Sequence, residues 1–245
     1  MSRPLLLIAG GSRGIGAATA RLAGERGYDV AVNYVNNAEA AAGVAAAVTK
    51  SGGKAVTLQG DMAKEDDIVG VFDAAARALG TVTHFVHSAG IPGKNSRLDA
   101  ASAATIRDVL DVNLFGAIIC AREAVRRMSM AHGGKGGSIV LLSSIASLTG
   151  GANEYVFYAA AKGGVDALVN GLAREVAKEG VRINAVRPGP TDTEIHEPGR
   201  LARITPLLPM GRPGQPHEIA EAVLFLLSDA ASYISGAVLN VSGAR

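Results

Sequence analysis

The chain has 245 residues, 48% of them hydrophobic and 19% charged, which suits one large folded domain and excludes a disordered chain. Its net charge is only +2, its basic residues are scattered, and it has five Tyr, five Phe and no Trp, so neither nucleic acid nor a membrane surface is an expected partner. One cysteine, Cys120, excludes an internal disulfide and a cysteine-based metal site and suits a reducing, cytoplasmic setting. Cys120 falls in the apolar run Ala117–Ala121 and reads as a small core residue.

The first expected strand, Leu5–Ala9, enters Gly10-Gly11-Ser12-Arg13-Gly14-Ile15-Gly16 and a helical stretch over Gly14–Arg26. The apolar run is too short for a signal-peptide core. Glycines between a strand and a helix let backbone N–H groups approach a phosphate. The spacing of Gly10, Gly14 and Gly16 departs from the usual G-x-G-x-x-G, yet each glycine has a job: a tight turn, close approach to pyrophosphate, and close packing of helix on strand. The same letters also fit G-x-S-x-G, a nucleophile elbow with Ser12 as nucleophile and Asp192 and His217 in the required order after it. That elbow normally follows several strands, whereas Ser12 follows the first.

The second strand, Val30–Asn33, ends in Asn33-Tyr34-Val35-Asn36-Asn37, without the carboxylate that would bind a ribose 2′-hydroxyl. Asn33 is the candidate cofactor contact there. With Arg13 in the turn as a charge-assisted partner for a 2′-phosphate, the expected cofactor is NADP(H) in preference to NAD(H). A helix over Ala38–Ser51, a strand over Ala55–Gln59, a helix over Lys64–Leu79 and a strand over Thr83–His87 follow, then strands at Ser138–Leu142, Arg182–Arg187 and Ala237–Val241. The predicted fold is α/β: a single-domain, Rossmann-like, doubly wound parallel sheet of about seven strands with helices on both faces. No linker divides 1–245. Pro188–Gly214 lacks periodicity and is rich in proline, so 190–213 is an expected substrate lid. Ala222–Leu227 is too short to span a bilayer.

Tyr158 and Lys162, in Tyr158-Ala-Ala-Ala-Lys162, fall one turn apart on a predicted helix over Tyr158–Lys178. A neighbouring cation favours phenolate and so brings a tyrosine towards acid–base work near neutrality. Ser143-Ser144 follow the Ser138–Leu142 strand, at the sheet end where such folds bind ligands. His84, His132, His196 and His217 are scattered, and no metal site is expected.

Together these segments resemble the short-chain dehydrogenase/reductase family over almost the whole chain. Ala9–Gly16 is similar to its Thr-Gly-x-x-x-Gly-Ile-Gly turn, and His87-Ser88-Ala89-Gly90 to its Asn-Asn-Ala-Gly segment. The resemblance makes Asp61-Met62 the adenine-contacting position, and it adds Ser88, Ala89 and Gly90 to the cofactor site. It also adds Pro188, Gly189, Thr191 and Thr193 beside the nicotinamide, by likeness to Pro-Gly-x-Ile-x-Thr. It makes Asn113, Ser144, Tyr158 and Lys162 the catalytic tetrad. Ser144 is one residue further from Tyr158 than the commoner family spacing, so Ser143 stands beside it as the alternative.

The implied chemistry is hydride transfer between nicotinamide and a carbonyl carbon. Tyr158 exchanges the proton, Lys162 lowers its pKa and binds the ribose, Ser144 bonds the carbonyl oxygen, and Asn113 holds a water. The substrates implied are small-molecule or thioester carbonyls, and the assembly implied is a homotetramer. A carrier-bound thioester would favour basic residues such as Arg126, Arg127, Arg200 and Arg203 near the site. The competing classes are a catalytically silent NADP(H)-binding sensor and a serine hydrolase using Ser12. A sensor usually lacks a catalytic residue, and the hydrolase leaves Tyr158 and Lys162 unexplained.

Overall fold

A computed structural model describes residues 3–245. Seven parallel strands form one sheet: β1 Leu5–Ala9, β2 Asp29–Tyr34, β3 Ala55–Gln59, β4 Val82–His87, β5 Gly137–Leu142, β6 Val181–Pro188 and β7 Val238–Val241. Their order is β3-β2-β1-β4-β5-β6-β7. The order reverses between β1 and β4, and a crevice opens there above the carboxyl ends of the strands. The expected strands all appear, with ends displaced by a residue at most.

Two helical layers cover the sheet, because the central strands are apolar on both faces. On one side lie α1 Gly14–Glu25, α2 Ala38–Lys50 and, from the end of the chain, α9 Pro216–Leu227. Leu6, Ile8, Val32, Val86 and Val140 form the core beneath them. On the other side lie α3 Glu65–Leu79, α5 Gly116–Met128 and α7 Val156–Val176 over Leu7, Phe85, Ile139, Leu141 and Ile183. Alternate residues of one strand serve the two cores, as the period of two requires. Cys120 is fully buried beside the Met62 sulfur, and burial pushes its thiol well up, so it is a core residue.

Three short helical pieces shape the crevice. Helix α4, Ala103–Leu110, is capped by Ser102 and runs through a π-turn, Asp111–Phe115, into α5. Helix α6, Ala146–Thr149, follows β5. Helix α8, Arg200–Ile204, sits inside the proline-rich excursion after β6, where periodicity gives no helix. That excursion is tied at its base. Asp192 N–H donates to Gly214 O at 2.8 Å and Gly214 N–H to Pro190 O at 2.9 Å, so both ends leave the sheet at one point. No helix among the described residues is long and apolar enough to cross a membrane.

Candidate active site

Beneath the crevice, the chain leaves β1 with Gly10 at φ +72° and enters α1 through Gly14 at φ +53°. A Cβ on Gly10 would lie 2.7 Å from Ala89 N, and one on Gly16 would lie 2.2 Å from Gly10 O. No side chain fits either place. Gly16 therefore does not face the crevice; it lets α1 sit against the turn. The N-terminus of α1 has no capping side chain and no acid in its first turn. By contrast, α2 is capped by Asn37 and carries Glu39, and α3 begins Glu65-Asp66-Asp67. Only α1 of these three leaves its first N–H groups and its positive dipole end clear for an anion.

The crevice is a cavity of about 510 Å³. Ser12, Arg13 and Ile15 line its first end together with Asp61 and Met62, and Ser88, Ala89 and Gly90 line its floor. Pro188, Gly189, Thr191 and Thr193 close the side formed by β6. Residues 34–37 also line it, and the Asn36-Asn37 amides were not singled out by sequence reasoning. Asn33 lies elsewhere than expected. It is fully buried; its Oδ1 accepts from Gly10 N–H at 3.1 Å, and its Nδ2 donates to Gly60 O at 2.9 Å and Leu58 O at 3.2 Å. Asn33 is the peg that holds the glycine turn to β3, and no atom of it remains for a cofactor. Arg13 reaches across the cavity mouth to Glu194 at 3.8 Å, with both side chains exposed.

At the other end β5 and α7 converge. The two serines follow β5 at the cavity and differ in burial and in what their hydroxyls bond. Ser143 is buried and its Oγ donates to Lys162 O at 3.2 Å. Ser144 faces the cavity; its Oγ accepts from Ala146 N–H at 3.1 Å, and its hydroxyl acts on the Tyr158 phenol in the direction of stronger acidity. The extra residue between Ser144 and Tyr158 is absorbed in the loop after α6. Lys162 is buried, its Nζ donating to Leu142 O at 2.7 Å and lying 5.7 Å from the centre of the Tyr158 ring. Burial pushes Lys162 down to about 8, against the opposing pull of Asp166, which Arg187 holds at 2.9 Å.

Burial also raises the Tyr158 phenol above its usual value, with the Ser144 hydroxyl and Arg200 acting against that rise. The expectation that Lys162 lowers it is corrected here: desolvation dominates, and the phenol holds its proton at neutral pH.

Asn113 is carried inward by the π-turn. Its Nδ2 donates to Ile91 O and Val109 O, both at 2.8 Å, while its buried Oδ1 has no partner. A Cβ on Gly90 would lie 2.7 Å from that Oδ1 and 3.6 Å from Lys162 Nζ, so glycine keeps the space between them open. His87, behind Lys162, is pushed down to about 3 by burial and by the lysine charge, and is neutral.

The mouth at this end is formed by Tyr155, Ile195, His196 and Arg200. Asp192 and His217 do not reach the cavity surface, and among the described residues no histidine or carboxylate bonds Ser12. The same residues hold no cluster of three metal-ligating side chains.

A glycine cradle under an uncapped helix, joined through one cavity to a Ser–Tyr–Lys convergence, is the site of a dinucleotide-dependent oxidoreductase. The chain belongs to the short-chain dehydrogenase/reductase family: a family model described as Enoyl-(Acyl carrier protein) reductase matches residues 9–243. It is 45% identical over 245 residues to the Uncharacterized oxidoreductase YgfF of Escherichia coli (98% and 99% of the two chains). It is 40% identical over 240 residues to the cis-4-hydroxycyclohexanecarboxylate dehydrogenase of Sinomonas cyclohexanicum (97% and 94%). A solved short-chain dehydrogenase/reductase from Serratia marcescens superposes with a TM-score of 0.91 at 30% identity, covering 98% and 97% of the chains. The protein is an oxidoreductase of this family, and its cofactors are of the NAD(P) type.

Proposed function

We propose that this enzyme uses NADP(H) to interconvert a small ketone or aldehyde with its alcohol, and that it works as a reductase. The observation that carries this is the cavity itself, where Ser144, Tyr158 and Lys162 meet the glycine turn along one continuous wall. The cradle fits a dinucleotide: N–H groups at the start of α1 would hold the pyrophosphate, and Lys162 and Thr193, which line the same cavity, would hold the nicotinamide half. When bound, the cofactor supplies or accepts the hydride.

The residues of the chain handle the proton. Ser144 and Tyr158 together donate to the carbonyl oxygen, which polarises it before and during transfer. Tyr158 then gives its proton to the developing alkoxide. A phenol held protonated by burial suits that direction. The orphan Oδ1 of Asn113 and the open space at Gly90 suit a water that returns a proton to Lys162.

Arg13 and the lack of a carboxylate at the end of β2 support NADP(H) over NAD(H). The tied excursion over 190–213 is the proposed lid, and 1–245 the proposed single domain. Arg126 and Arg127 are spent on Glu123 and Asp73 of the α3–α5 surface, and Arg200 is buried, so these three form no carrier-protein patch. Of the four basic candidates Arg203 alone is exposed without an ion pair among the described residues, which favours a small-molecule carbonyl over a carrier-bound thioester. Cyclic oxo acids are one chemistry to test, given the printed substrate of the Sinomonas relative. A homotetramer in the cytoplasm completes the reading; exposed Phe225 on α9 and Leu239 on β7 are available to an interface.

The test is an NADPH-oxidation screen over a panel containing 4-oxocyclohexanecarboxylate, simple ketones, keto sugars and an acetoacetyl thioester, repeated with NADH. Turnover of a small ketone with NADPH preferred is expected. Faster turnover of the thioester overturns the substrate reading, and a preference for NADH overturns the cofactor reading. NADPH binding without turnover of any carbonyl would leave the silent sensor.

A further inference from the structure

Arg200 stands on α8, within the excursion after β6, yet it is only 7% exposed. A buried guanidinium is costly unless its donors are met. Here both terminal nitrogens are met, Nη2 by the segment before α7 and Nη1 from within the excursion itself, while the buried Nε has no partner among the described residues. Nη2 donates to Glu154 Oε2 at 2.9 Å and to the Tyr155 hydroxyl. Nη1 donates to His196 Nδ1 at 3.0 Å, which fixes that ring nitrogen as the unprotonated one. The guanidinium carbon lies 5.2 Å from the centre of the Tyr155 ring. Tyr155 in turn meets Tyr158 edge to face, with centroids 5.7 Å apart and planes at 90°. A chain of contacts therefore runs from the proposed lid through one ring to the reacting phenol.

We propose that Arg200 is a positioning residue for this reaction: carried by the lid, it clamps Glu154 and Tyr155 and through the Tyr155 ring holds and electrostatically supports Tyr158. The acid–base group is then complete only with the lid closed, and proton transfer is gated by the same movement that shields the substrate.

The surrounding groups agree. Arg200 acts on Tyr158 in the direction of stronger acidity, as does the Ser144 hydroxyl from the loop after β5. Lys162 faces the ring from the same helix, with Asp166 and Arg187 paired one turn beyond it and neutral His87 behind it. Tyr155 is pushed up to about 12 by burial, so it stays a neutral phenol that can bridge Arg200 and Glu154. Glu154 is held below the usual carboxylate range by Arg200 and Tyr155, even against its own partial burial, with Arg245 adding to that pull from the end of the chain. His196 is held below its usual value by burial and by Arg200, so it keeps Nδ1 free as pH falls.

This inference rests on Tyr158 being the acid–base group, a point settled separately by whether Tyr158→Phe retains turnover. The test needs no known substrate. Tyrosinate absorbance is titrated in the wild type and in Tyr158→Phe, and the difference gives Tyr158 alone. The same difference is then taken in the background of Arg200→Met and of Arg200→Met with Glu154→Gln, the second leaving no unpaired carboxylate. Removing the guanidinium is expected to make Tyr158 about tenfold weaker as an acid in both backgrounds, because a nearby cation is lost. With the carbonyl found by the screen, kcat is expected to fall about tenfold or more while NADPH binding stays within about twofold, since misplacing the phenol affects chemistry and not the cradle. Arg200→Lys, which keeps charge but not the fork, should lie between. If melting temperature falls while the Tyr158 titration and kcat stay at wild-type values, Arg200 is a structural tie and the proposal is overturned.

Discussion

The two ends of the cavity are built from different materials. The cofactor end is backbone: glycine turns, the free amides of α1, and one buried asparagine pegging them to the sheet. The substrate end is side chain: Ser144, Tyr158 and Lys162, braced by Tyr155, Glu154 and an arginine from the 190–213 excursion. The pyrophosphate is common to NAD(H) and NADP(H), so a rigid backbone mould suits it. Substrates differ, and an end assembled from loop side chains can change without disturbing the sheet.

That contrast can be broken by substitutions that should damage one end and spare the other. Tyr158→Phe removes the proton and leaves the mould, so turnover should fall on the order of 10³-fold with NADPH binding retained, measured by kinetics and fluorescence titration. Gly16→Ala does the reverse. Its Cβ would lie 2.2 Å from Gly10 O, so it should cost about 1–3 kcal/mol of stability and weaken NADPH binding, read by denaturant melts and titration. Asn33→Leu frees the peg. It should lower stability by about 1–3 kcal/mol, because Gly10 N–H, Gly60 O and Leu58 O lose their partner, with kcat at saturating NADPH nearly unchanged.

A pH profile sharpens the comparison without a substitution. Lys162 is pushed down to about 8, so its charge is present below that pH and lost above it. Reductive kcat should therefore decline as pH rises through that value, while the NADPH Kd follows a shallower course. The smallest effect belongs to the contact that joins the two ends. Arg13→Ala should reduce the preference for NADPH over NADH about tenfold, and Glu194→Gln, which releases Arg13 from its exposed partner, should raise NADPH affinity by a few-fold at most.

The sheet was legible because its strands are short, mostly apolar runs, continuous in β1 and most of β5, set between helical stretches, and such patterns are local. The pairing of Tyr158 with Lys162 at one end of the cavity was legible because one helical turn separates them. What was not legible depends on partners distant in the chain. Asn33 looks like an exposed amide at the end of a strand until Gly60, 27 residues on, takes its Nδ2. Arg200 looks like one more surface charge until Glu154, 46 residues earlier, buries it. Asn113 sits on a π-turn whose extra residue no helical period announces. The choice between Ser143 and Ser144 needed the facing of the chain beyond β5, which counting residues back from Tyr158 does not give. The acidity of Tyr158 needed burial, which sequence spacing does not measure.

The paired base of the 190–213 excursion has a consequence for how such enzymes diversify. Because the chain departs and returns through one pair of residues, Thr191 beside Gly214, the segment between them joins the sheet at a single point and is otherwise tied by side chains such as Arg200 and Glu194. Exchanging that segment whole would leave the sheet in place and, if it is the proposed lid, would change the substrate accepted, provided that the incoming piece brings its own arginine for Glu154 and Tyr155.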